Sequence, residues 1–65
     1  MPDMRSVTSA AVEAIGWEDE TMYVQYTSGS TYAFFGVSYA EYENIKDSPS
    51  IGRALSSLGT RGVAC

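Results

Sequence analysis

A chain of 65 residues is one small domain, and at this size folding hides only roughly 60% of the surface that the unfolded chain exposes, which leaves no room for a large enzyme with a deep, dry active site. Its 45% hydrophobic content, with five Tyr, two Phe and one Trp, is too aromatic for a disordered segment, while its apolar runs are too short for a membrane span. Eight acidic residues against four basic ones give a net charge of −4, and the absence of His together with a single Cys excludes a Ser-His-Asp or Cys-His relay, an imidazole base, a zinc knuckle and an internal disulfide.

Residues 1–6 are polar and aperiodic and read as a flexible N-terminus, and MPDMRSVTSA has no apolar stretch, so no secretory signal is expected. A single domain follows over 7–59. Its first predicted strand covers Ala11–Trp17, with Val12 and Ile15 on opposite faces of an ideal strand and Gly16 suggesting a bulge or bend. Glu18, Asp19 and Glu20 make a solvated turn. Strands over Thr21–Tyr26 and Ser30–Phe35 flank Thr27-Ser28-Gly29. A three-residue loop with Gly29 in a left-handed conformation sets Tyr26 against Ser30, Val24 against Tyr32 and Met22 against Phe34. That register gathers Met22, Val24, Tyr26, Tyr32 and Phe34 on one face and leaves Tyr23, Gln25, Thr31, Ala33 and Phe35 on the other.

After Gly36 the period becomes helical. Ser38-Tyr39-Ala40-Glu41 is a capping box, with Val37 and Tyr42 as its hydrophobic staple, and it opens a helix over Tyr39–Lys46 whose stripe is Tyr39, Tyr42 and Ile45. A second helix is expected with Ser48 as cap, Pro49 at the first position, Ile51, Leu55 and Leu58 on one face and Gly59 as its stop. Residues 60–65 read as a flexible tail, ending in Cys65 as an exposed reduced thiol. The predicted architecture is α+β: a three-stranded antiparallel meander followed by two short helices packed on one face. Two short helices cannot cover both faces of the sheet, so the Tyr23, Thr31 and Phe35 face stays at least half open.

The run Val12-x-x-Ile15-Gly16-Trp17-Glu18, then Met22-x-Val24-x-Tyr26-x-x-Gly29-x-x-Tyr32-x-Phe34, Gly36-Val37, Tyr42-x-x-Ile45 and Ser50-x-Gly52 resembles the KTSC domain family over about Val7 to Leu58. That family occurs at the C-terminus of some lysyl-tRNA synthetases and as free-standing bacterial and phage proteins. The resemblance implies this fold and, through the synthetase association, RNA binding. The family's Tyr-x-Tyr stands here as Tyr32-Ala33-Phe34, and Ser38 occupies a position that is often Pro.

Several residues are candidates for recognition. Tyr32 and Phe34 have the chemistry to stack bases, but the register assigns them to the helix-covered face and hence to core packing. Tyr23, Thr31 and Phe35 on the open face are better placed to touch a partner. Ser50, Gly52 and Arg53 at the second helix start offer backbone amides, a hydroxyl and a cation to one phosphate or carboxylate. Glu18, Asp19 and Glu20 match no calcium loop, so no metal and no cofactor is expected. With no nucleophile beside a base, catalysis is not expected either. Arg5 and Arg61 are assigned to mobile chain ends, which leaves Lys46 and Arg53 as anchored cations and disfavours a nucleic-acid coat. The first reading is a cytoplasmic, non-catalytic binding or regulatory module that contacts a protein, or a second copy of itself, through the open face or a strand edge, without a membrane. The alternative is RNA or small-nucleotide binding at the second helix start, with phage-encoded, nucleotide-sequestering proteins of this size as an analogy.

Overall fold

The computed structural model describes residues 3–64, without the side chains of residues 59–61. The expectation for Cys65 therefore lies outside the described residues. Strands β1 (Arg5–Ser6), β2 (Val12–Glu18), β3 (Thr21–Tyr26) and β4 (Thr31–Phe35) precede helices α1 (Tyr39–Lys46) and α2 (Ile51–Leu55). A 3₁₀ helix (Ser56–Arg61) then leads into β5 (Gly62–Ala64). The sheet is antiparallel throughout, in the order β1-β2-β3-β4-β5.

The α+β plan with two helices on one face is present, but the sheet has five strands where three were expected. Both additional strands come from the segments read as flexible ends. They are two and three residues long. Pairs this short carry no alternation for a sequence pattern to register.

The β2–β3 pairing steps from Val12 opposite Tyr26 to Ala14 opposite Gln25, so the bulge lies at Glu13 and not at Gly16. The extra residue reverses the alternation, and Val12 and Ile15 both point to the helix side, fully buried. The two-residue turn that follows puts Asp19 and Glu20 at φ 52° and 58°, the left-handed pair whose twist matches a β-hairpin. The β3–β4 register is the expected one, with Met22 opposite Phe34 and Val24 opposite Tyr32. Gly29 at φ 100° closes its loop, and the Tyr26 amide donates to Ser30 O at 2.8 Å.

Ser38 caps α1, its Oγ accepting from the Glu41 amide at 3.1 Å. Tyr42 and Ile45 are buried as expected, whereas Tyr39 stays 54% exposed. Ser50, not Ser48, occupies the N-cap position of α2, so Pro49 lies before the helix and not at its first turn. Nor does α2 reach Leu58. The Ser56 and Ser57 hydroxyls donate to Arg53 O and Ala54 O, and this competition for carbonyls accompanies the change to 3₁₀ geometry. Leu58 is still buried, and with Ile51 and Leu55 it completes the core over Met22, Val24 and Phe34.

Candidate functional site

The face of the sheet away from the helices is built in rows by the register. The central row runs Gly16, Tyr23, Ala33, Val63 across four strands. One row beyond it Thr21 faces Phe35, and on the other side Gln25 faces Thr31. Phe35 and Val63 are 53% and 54% exposed, and Tyr23 and Thr31 are half-buried. The small residues Gly16 and Ala33 flank Tyr23, and both are buried. Among the described side chains no Lys or Arg belongs to this face. The acidic Glu18, paired with Thr21 at the hairpin end, borders it. Tyr23, Thr31 and Phe35 are thus brought together as the sequence implied, and Val63 joins them through β5.

The other candidates lie elsewhere. Phe34 is in the core and Tyr32 packs against it on the helix side, its ring edge-on to Tyr26 at 5.7 Å and 85°. Burial, and secondarily the neighbouring Tyr32, pushes the Tyr26 hydroxyl above the ordinary tyrosine range. Ser50, Gly52 and Arg53 sit at the start of a five-residue helix. The Ser50 amide donates to Ser48 Oγ at 3.2 Å, and the Ser50 side chain makes no capping bond. Gly52 and Arg53 are exposed, and a Cβ at Gly52 would meet open space.

One concave region was not anticipated. Asp3, Arg5, Trp17, Tyr39, Tyr42 and Lys46 line a cleft of about 320 Å³ between the β1 edge and α1. Trp17 is fixed there by its indole N–H, which donates to Val37 O at 2.8 Å, and by Tyr39, edge-on at 5.1 Å and 71°. Lys46 lies 2.7 Å from Glu43 and 5.9 Å from the centre of the Tyr42 ring. The bond from Lys46 and then that from Tyr39 hold the Glu43 carboxyl below its ordinary range. The same carboxylate raises the Lys46 ammonium and the Tyr39 hydroxyl above theirs. The concentration of aromatic residues around position 40 was the signal available in the sequence, but Arg5 reaches this place only because β1 pairs with β2 opposite Ile15.

Among the described residues no group of three or more His, Cys, Asp or Glu side chains could hold a metal ion. No helix among them is long and apolar enough to cross a membrane. No curated protein matches the chain. The crystal structure of a KTSC domain protein from Yersinia pestis is similar in fold, with a TM-score of 0.85 and 20% identity over 97% of this chain and 93% of that one. The model of the KTSC domain family matches residues 8–57. With that match over most of its length, and with the fold in agreement, the chain belongs to the KTSC domain family.

Proposed function

We propose that the chain is a small non-catalytic binding module that docks a protein partner on the open face of its sheet. The observation that carries this reading is the exposure of Phe35 and Val63 beside Tyr23 on a face that carries no cation among the described side chains. Exposed aromatic and aliphatic side chains with few charges are what the centre of a protein interface needs, whereas a phosphate backbone needs Lys and Arg. The edges are less suited to strand addition, since β1 and β5 are too short to template a long partner strand. The reading with RNA or a nucleotide at the α2 start rests on Arg53 alone for its positive charge and is the weaker one.

Replacing Tyr23 and Phe35 together by Ser tests the proposal. A protein retained by the wild-type chain is expected to be lost by the double variant and kept by a Lys46→Gln control, with the melting temperature of all three nearly equal. Self-association would show as a dimer in sedimentation that the double variant abolishes. Retention unchanged by the double substitution would refute the assignment, and a large loss of stability would show Tyr23 and Phe35 to be structural.

A further inference from the structure

The cleft beside α1 shares no residue with the open face, and its chemistry is different. Two of the four basic residues of a chain with net charge −4 meet there, Arg5 from β1 and Lys46 from the last turn of α1. Asp3 is the one carboxylate in its lining. The volume, about 320 Å³, falls at the lower end of the roughly 300–1,000 Å³ of small-molecule sites. Trp17 is immobilised by its bond to Val37 O, whereas Tyr39, packed edge-on against it, leaves more than half of its surface free.

We propose that this cleft binds a small planar organic anion, its acidic group between Arg5 and Lys46 and its flat face against Tyr39. Aromatic surface at a fixed angle selects a planar group, and two cations from different elements select a compact acidic one. Asp3 offers an acceptor to a donor group on the ligand. In the free chain Lys46 is held by Glu43, so the ligand's acid competes with that carboxylate for the ammonium. An extended polyanion is disfavoured, because Glu43 stands at the cleft wall on Lys46 and Tyr39, and beyond it α1 and its cap present Glu41 and Asp47.

The chain's single Trp is Trp17, so one indole N–H resonance reports on the cleft. Titration of the full ¹⁵N-labelled chain with adenosine 5′-monophosphate and with indole-3-acetate compares a planar phosphate with a planar carboxylate. Adenosine and inorganic phosphate supply the separate halves. The expected result is a saturable shift of the Trp17 indole and of the Tyr39 and Lys46 amides with at least one of the two anions, and weaker binding of either half. Whichever anion gives the tighter response identifies the acidic group. Arg5→Gln and Lys46→Gln should each weaken the response about tenfold, the loss of one charge-assisted contact, without altering the melting temperature by more than a few degrees. No saturable shift with either anion, or unchanged affinity in the Arg5→Gln/Lys46→Gln chain, would overturn the proposal. Because neither substitution touches Tyr23, Phe35 or Val63, its failure leaves the protein-docking reading intact, and the converse also holds.

Discussion

Val37 shows how single residues tie this small sheet to its helices. It is fully buried, its amide donates to Glu20 O at 2.9 Å, and its carbonyl accepts the Trp17 indole N–H. The first bond fixes the β2–β3 turn against the entry to α1, and the second places Trp17 at the cleft. The turn achieves this with two non-glycine residues in the left-handed region, where Cβ crowds the following carbonyl. Glu20→Gly should therefore stabilise the domain by about 0.5–1 kcal/mol, after allowance for the extra freedom of glycine in the unfolded chain. At this size that is a rise of a few degrees in the melting temperature by calorimetry. A fall would show that the Glu20 side chain stabilises the turn.

Elements with strong periodicity or capping chemistry were legible in the sequence, and elements made by pairing alone were not. The β3–β4 register followed from sorting Met22, Val24, Tyr32 and Phe34 onto one face, because burial of that face specifies the alignment. The α1 start followed from Ser38 and Glu41. The bulge was misplaced because Gly16 is the residue whose type suggests one, whereas the structure inserts Glu13 so that both Val12 and Ile15 are buried. β5 was illegible, yet its docking has a definite requirement. A Cβ on Gly62 would lie 2.5 Å from Cε2 of Phe34, a ring that is only 6% exposed and so has little room to yield. Gly62→Ala is predicted to cost about 1–3 kcal/mol in chemical denaturation. Amide protection should be lost first along β4 and β5. Unchanged stability would mean that the ring moves freely, contrary to the packing described.

For the whole molecule, the consequence of this topology is a sheet with two unequal sides. All the helical mass lies on the side of Met22, Val24 and Phe34, and a core of this size supplies about 3–5 kcal/mol at most. Among the described residues no second layer covers Tyr23, Phe35 and Val63. The open face could be foreseen because two short helices cannot cover both sides of a sheet. The cleft could not, since it depends on where β1 carries Arg5. The measurement that tests the central claim most directly places a photo-crosslinking phenylalanine analogue at Phe35 and, in a second chain, at the exposed Ala40 of α1. Illumination in the presence of cell extract should join a discrete protein, or a second copy, to position 35 and not to position 40. Equal labelling from both positions, or none from position 35, would contradict a docking surface on the open sheet.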